Sequence, residues 1–268
     1  MERLRCGVKN LLKEKLKQGK AAFGTFLTIG HPDVAEIIGS VGFDFVVFDM
    51  EHAPLDFGIV QSMMQAMSYS ETTPLIRVAW NDLVLFKQAL DIGAHGLVIP
   101  WVNSGDEAEY AVKAAKYPPR GIRGFGPRRA ALRDRDYTAT ADSETMLIVQ
   151  IETKTALNNL DSIFSVDGVD ACFIGPMDFT MSLGILGQLE HPSFEEALVK
   201  VVESSKKHNV IPGIATVPIE GRGYMPDLAK VLGMGFKMIS LGYDLGFLRK
   251  SAAELLSSAI SLASGQAP

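Results

Sequence analysis

The sequence predicts an α/β fold, a single (β/α)8 (TIM) barrel with an extra N-terminal helix. Three observations carry that prediction. Short apolar runs of strand character recur along the chain, and helical patterns separate most of them. Several of those patterns end in glycine just before the next run, as in SVG-F, DIG-A and VLGMG-F, which is C-cap chemistry. The first strand is followed by TIGHPD, which is no GxGxxG, so the doubly wound open sheet lacks its usual phosphate loop.

The strands expected in order are 23–29 (FGTFLTI), 44–49 (DFVVFD), 74–78 (PLIRV), 96–101 (GLVIPW), 146–151 (MLIVQI), 170–175 (DACFIG), 210–215 (VIPGIA) and 236–242 (FKMISLG). They are β-branched or aromatic and apolar on both faces, as strands covered on both sides are. Helical patterns lie between most of them, among them PDVAEIIGSVG, DLVLFKQALDIGA and FEEALVKVVESSKKHN, with FLRKSAAELLSSAISLA at the end. Ahead of the barrel, Leu4, Val8, Leu11, Leu12 and Leu16 fall at helical spacing among basic residues, which reads as a surface helix. Glu2, Glu14 and the lack of serine there argue against an organelle transit peptide. The whole of 1–268 is expected to be one domain, with the helix at about 8–18 and the barrel at about 22–262.

Apolar content of 47% and charged content of 21% are ordinary globular values. A net charge of −5 offers no basic footprint for nucleic acid, and no run is long and apolar enough for a membrane span. Cys6 and Cys172 stand far apart and fit no metal spacing, so a reducing, cytoplasmic location is the expectation.

In such barrels the working face is where strands run out into βα loops, and polar residues there are catalytic candidates. Strand two ends in Asp49, Glu51 and His52, and strand three contains Arg77. Strand five ends in Gln150, Glu152 and Thr153, and strand six runs into Gly175, Pro176 and Asp178. Glu152 and Asp178 can hold a hard divalent cation while leaving positions for water and substrate, although one carboxylate pair is a weak metal signal. Such a cation polarises a carbonyl, Arg77 stabilises the developing oxyanion and a neutral His52 moves a proton. Asp49 and Glu51 are supporting residues that orient His52 or a bound water.

FDMEHAP (48–54), RVAWND (77–82), YPPRGIRGFG (117–126), VQIET (149–153) and FIGPMDF (173–179) occur in that order. Together they resemble the HpcH/HpaI family of metal-dependent class II pyruvate aldolases, which includes 2-dehydro-3-deoxyglucarate and 4-hydroxy-2-oxoheptanedioate aldolases. The resemblance runs from about Gly19 to Leu248. It implies reversible cleavage of a 4-hydroxy-2-oxo acid to pyruvate and an aldehyde through a metal-stabilised pyruvate enolate. It implies Mg²⁺, Mn²⁺ or Co²⁺ on Glu152 and Asp178. Gln150 and the backbone of Gly175, Pro176 and Met177 would grip the pyruvyl group. His52 falls at the acid/base position, Arg77 at the enolate-stabilising one and Asp91 at that of an aspartate that raises the histidine's basicity. The pattern LFKQALDIGA puts Asp91 at a helix end, on the face opposite the site, so it either reaches a neighbouring subunit's His52 or pairs within its own chain. A homo-oligomer, trimer or hexamer, also follows from the resemblance alone. Met50, Phe26, Met177 and a long segment at 216–227 depart from the family pattern and bear on the choice of aldehyde.

Arg120, Arg123, Arg128, Arg129, Arg133 and Arg135 crowd one stretch. It reads as a solvated or subunit-facing loop, or else as a clamp over the barrel mouth for an acidic substrate. Arg123 in GIRG, which the resemblance covers, is expected to shape the substrate site. Schiff-base chemistry is disfavoured, because Lys237 stands at the wrong end of its strand and Lys154 beside the metal position. CoA-ester lyase or oxaloacetate decarboxylase activity uses similar enolate chemistry and stays open. More distantly, so does a non-catalytic ligand-binding barrel, against which the retention of His52, Arg77, Glu152 and Asp178 together speaks.

Overall fold

Eight parallel strands close on themselves in the computed structural model, which describes residues 9–134, 136–219 and 223–264. Leu4, Cys6, Val8 and Arg135, and residues 220–222 of the long 216–227 segment, lie outside the described residues. The strands are β1 (Ala22–Leu27), β2 (Phe45–Asp49), β3 (Thr73–Arg77), β4 (Gly96–Ile99), β5 (Met146–Gln150), β6 (Ala171–Ile174), β7 (Ile211–Ile219), β8 (Gly223–Met225) and β9 (Met238–Tyr243). Each of β1 to β6 pairs with the next. β6 then pairs with β7, β7 with β9, and β9 with β1, which closes the ring. β8 is no stave: it pairs antiparallel with an extension of β7, so the 216–227 segment carries a hairpin arm beyond the barrel.

The helices are α1 (Leu11–Lys17), α2 (Pro32–Val41), α3 (Phe57–Ala66), α4 (Leu83–Asp91), α5 (Gly105–Ala115), α6 (Arg128–Arg133), α7 (Tyr137–Glu144), α8 (Lys154–Asn158), α9 (Leu160–Phe164), α10 (Pro176–Ser182), α11 (Pro192–His208), α12 (Leu228–Met234) and α13 (Asp244–Ala263). Most of those that follow a strand start on a polar side chain that accepts a backbone N–H of the first turn: His31, Asp56, Asp82, Ser104 and Thr153. Gly42, Gly93 and Gly235 close three of the turns back toward a strand with φ of 95°, 100° and 113°.

Strand residues alternate between two cores. Val46, Phe48, Ile76, Leu97 and Val149 face the helix shell. Phe45, Val47, Leu75, Val98, Ile148 and Phe173 fill the barrel. Phe45 fits there because β1 has Gly24: a Cβ on Gly24 would sit 2.4 Å from both the Phe45 ring and its carbonyl oxygen. The N-terminal segment is more than a surface helix. Leu12 and Leu16 of α1 join the inner core and plug the barrel where its strands begin. At the chain's other end, α13 leaves Leu245, Leu248, Leu255, Leu256, Ile260 and Leu262 exposed.

Candidate active site

The strand ends of β2, β3, β5 and β6 gather charged groups at the mouth. Asp49, the last residue of β2, lies in register with Arg77, the last of β3. Its carboxylate accepts two parallel bonds from the guanidinium, from Nε at 2.9 Å and Nη2 at 2.7 Å. Asp49 Oδ1 also accepts the backbone N–H groups of Glu51 and His52, each at 3.1 Å, and so folds the turn beyond the strand. Phe26 of β1 lies under the guanidinium, 4.9 Å from ring centre to Cζ. Arg77 is thereby fixed in one orientation.

Glu51 Oε2 lies 3.2 Å from Arg77 Nη1, off the line of a hydrogen bond, and this buried oxygen has no hydrogen-bond partner. Burial pushes the Glu51 carboxyl up to about 7. Arg77 opposes the rise, and the charges of Asp49 and Asp178 add to it. Glu152 is also raised to about 7, first by burial, with the Trp101 N–H opposing and Glu51 and Asp178 adding. Its Oε1 accepts the Trp101 N–H at 2.8 Å and its Oε2 accepts Gln150 Nε2 at 2.8 Å. The amide oxygen of Gln150, also buried, has no partner. His52 stands outermost, its side chain 61% exposed and Nε2 3.7 Å from Glu51 Oε2.

Gly175 is the hinge of the site. It follows β6 and caps the start of α10, whose first turn holds Pro176, Met177 and Asp178. A Cβ built on it would meet Glu152 Oε2 at 3.5 Å, Gln150 Nε2 at 3.7 Å and Asp178 Oδ2 at 3.9 Å. Glu152 and Asp178 therefore turn their oxygens to one small space that a side chain on residue 175 would crowd. Glu51 and Glu152, raised first by burial and further by neighbouring acids, with unpartnered buried oxygens beside them, fit a hard divalent cation. Among the described residues no three His, Cys, Asp or Glu side chains converge as a metal cluster. Glu152 and Asp178 are a carboxylate pair with space beside them, which is compatible with the way Mg²⁺-like ions keep waters and take up substrate oxygens.

Two expected site residues are elsewhere. Asp91 ends α4, and Arg123 lies between α5 and β5, so both belong to the end of the barrel where strands begin. Arg123 has a fully buried side chain. It donates to Asp91 Oδ1 at 2.7 Å and to the Tyr137 hydroxyl, and it stacks on Tyr117 at 4.4 Å. Within one chain Arg123 therefore stands away from the strand-end cluster, and Asp91, on the far face as its helix pattern predicts, does not meet His52. The correction extends to the arginine-rich stretch: a segment leading from a helix into a strand lies opposite the mouth. Arg129, for instance, bonds the carbonyls of Ile92 and Met64 near the ends of α4 and α3. Gln150, expected to grip substrate, spends its donor on Glu152. Met177 is exposed beside the site, and a Cβ on Gly187 would meet its Cε at 3.8 Å.

Sequence reasoning passed over two contributors. Trp101 takes a left-handed backbone conformation, φ 56°, which accompanies the aim of its N–H at Glu152; no residue pattern announces it. Asp244, buried at the start of α13, bonds Thr28 N, Thr28 Oγ1 and Ile29 N and so fastens the loop after β1. An acid at the end of the last strand was a legible sign.

Fold and rim define the class: a (β/α)8-barrel enzyme with an acid-rich, cation-ready mouth. The HpcH/HpaI aldolase/citrate lyase family model matches residues 22–251. The chain is 40% identical to a hydroxypyruvate/pyruvate aldolase of Roseobacter denitrificans over 89% of this chain and 93% of that protein. It is 37% identical to a 4-hydroxy-2-oxo-heptane-1,7-dioate aldolase of Salmonella paratyphi C over 92% of this chain and 94% of that one. A crystal structure of an HpcH/HpaI aldolase/citrate lyase family protein from Burkholderia cenocepacia J2315 superposes with a TM-score of 0.88 at 32% identity, covering 94% of this chain and all of that one. The chain belongs to the HpcH/HpaI aldolase/citrate lyase family and is a carbon–carbon lyase of the aldolase kind.

Proposed function

We propose that the protein is a class II aldolase that reversibly cleaves a 4-hydroxy-2-oxo acid to pyruvate and an aldehyde. The observation that carries this reading is the shared space beside Gly175, faced by Glu152 Oε2 and Asp178 Oδ2 and flanked by Arg77. The names of the two aldolase relatives support the substrate class.

Glu152 and Asp178 are the residues to hold a divalent cation, with Mg²⁺, Mn²⁺ or Co²⁺ as the ions suited to oxygen donors. Such an ion, when bound, supplies Lewis-acid polarisation of the 2-oxo group. Gln150 and the Trp101 N–H set the orientation of Glu152. The first-turn N–H groups of Met177 and Asp178 have no partner inside α10 and suit the substrate carboxylate. In the cleavage direction a neutral His52 takes the proton from the 4-hydroxyl. The C3–C4 electron pair moves toward C2 as the aldehyde carbonyl forms, and Arg77 stabilises the negative charge that builds on the C2 oxygen. Protonation at C3 then gives pyruvate. Asp49 acts through Arg77, which it holds by two bonds.

The same proposal makes the enzyme a cytoplasmic homo-oligomer. The exposed leucines of α13 support self-association, Cys172 is a free, buried thiol, and no described helix is long and apolar enough to cross a membrane. Trimer or hexamer rests on the family resemblance. Exchange of the pyruvate methyl protons in D₂O, followed by NMR, tests the reading without knowledge of the aldehyde. Exchange that needs added Mg²⁺ or Mn²⁺ and stops with EDTA supports it. Exchange unaffected by EDTA, or none with any metal, overturns it.

A further inference from the structure

The barrel has a second cavity of about 620 Å³ at the end opposite the mouth. Lys13 and Lys17 of α1, Lys116 and Arg120 beyond α5, and His208 at the end of α11 line it. Three aspartates share the wall, and two of them are paired. Lys13 Nζ is 2.8 Å from Asp170 Oδ1, and Arg120 lies 3.8 Å from Asp167. The third, Asp142, accepts the backbone N–H of Tyr117 at 3.0 Å. His208 turns instead to Asp161, 3.0 Å away and outside the cavity.

Lys116 is the exception. It is buried, only 5% exposed, yet it makes no ion pair among the described residues; its ammonium donates to a neutral acceptor, the backbone carbonyl of Asp142. Burial lowers its proton affinity, the nearby Lys13 adds to that effect, and Asp170 and Asp142 oppose it. Asp170 and Asp142 lie near but are engaged by Lys13 and the Tyr117 N–H, so this buried cation touches no carboxylate directly, which is costly, and the cavity it faces has room for an anion. Lys17 likewise has no ion pair among the described residues. Val112, Phe164 and Val166 supply apolar lining to the same cavity. A volume of this size suits a small metabolite better than a bare oxyanion.

We propose that this cavity is a second ligand site that binds an organic anion. Its carboxylate or phosphate-monoester group pairs with Lys116, flanked by Lys17 and Arg120, and its apolar body lies against Val112, Phe164 and Val166. The site is separate from the acid-rich mouth and of opposite charge preference. A mouth that gathers carboxylates holds cations, whereas this end has its surplus in ammonium groups.

Calorimetric titration of the full chain, with Mg²⁺ present, tests this with three probes: phenyl phosphate, benzoate and inorganic phosphate. One phenyl phosphate or benzoate is expected per chain with a Kd of about 1 mM or tighter, and inorganic phosphate about fivefold weaker or more. The tighter of the two organic probes tells which acid group the site prefers. Lys116→Met is expected to weaken binding about tenfold or more, the loss of one charge-assisted hydrogen bond. The double variant Lys17→Ala/Arg120→Ala, at positions open to solvent, is expected to weaken it about fivefold. Metal-dependent pyruvate exchange should be unchanged in the double variant. If Lys116→Met fails to fold by circular dichroism, the double variant decides alone. No organic probe binding tighter than about 10 mM, or unaltered affinity in the folded variants, overturns the site.

Discussion

The two ends of this barrel each bury an aspartate against an arginine, and the two pairs do opposite work. At the strand starts, Arg123 is enclosed by Asp91, Tyr117 and Tyr137; its Nε and the Tyr117 hydroxyl lack hydrogen-bond partners among the described residues, but its one charge is met by one carboxylate inside the chain. At the mouth, Arg77 is held just as firmly by Asp49, yet around it Glu51 Oε2 and Gln150 Oε1 are buried without hydrogen-bond partners. Glu152 and Asp178 add further negative charge to the mouth. The completed pair is architecture. The uncompensated cluster is chemistry, because a fold that carries unpaired acids into a partly dry space gains from whatever cation and substrate neutralise them.

Breaking the completed pair should have the largest effect on folding. Arg123→Met leaves Asp91 half-buried without its partner and is expected to cost about 3–5 kcal/mol, read from the urea midpoint. The folded fraction should keep its aldolase rate within about threefold; a rate loss of the kind expected at Arg77 would return Arg123 to the active site. Arg77→Met should reverse that profile, losing about 10³ in kcat on an otherwise folded enzyme, the scale of one oxyanion donor. A similar kcat for the variant and the parent would remove Arg77 from the chemistry.

The third expectation concerns pH and the metal-free protein. Burial pushes the Glu51 and Glu152 carboxyls up to about 7 in the folded chain, against 4.5 for a free glutamate. Between those two values the folded chain binds more protons than the unfolded one, so stability is highest below pH 4.5, as far as these groups go, and falls as pH rises to about 7. The fall is on the order of 3 kcal/mol from Glu152 alone, with a smaller, solvent-screened share from Glu51. Thermal unfolding in EDTA across that window should show it, and Glu152→Gln should flatten it. The smallest effect belongs to a half-buried pair at the strand starts. Lys15 lies 2.6 Å from Asp44, which keeps its bond from the Phe23 N–H without the lysine, and Lys15→Ala should cost about 1 kcal/mol or less in the same urea assay.

The alternation of apolar runs and helical patterns made the barrel legible, because burial on both faces forces apolar runs such as FVVF and MLIV into the strands. The rim was legible for the same reason in reverse. Asp49, Arg77, Gln150 and Glu152 are polar groups at the ends of runs that otherwise bear none, and the structure brings them to one space with Glu51 and Asp178. The partners at the other end were harder. Asp91 and Arg123 are 32 residues apart, and only the closed ring places a helix end beside that loop. The helix pattern already put Asp91 on the far face, whereas Arg123 was drawn to the mouth by the family resemblance alone. The left-handed turn at Trp101 and the seating of Leu12 and Leu16 under the barrel depend on packing that no local pattern states.

Manganese binding measured by electron paramagnetic resonance bears most directly on the contrast between the two ends. One Mn²⁺ per chain is expected at the mouth. Its affinity should fall about tenfold or more in Glu152→Gln and in Asp178→Asn, and stay within about twofold in Asp91→Asn. Equal affinity in the parent and Glu152→Gln, or loss of the ion in Asp91→Asn, would contradict the assignment of function to the uncompensated cluster.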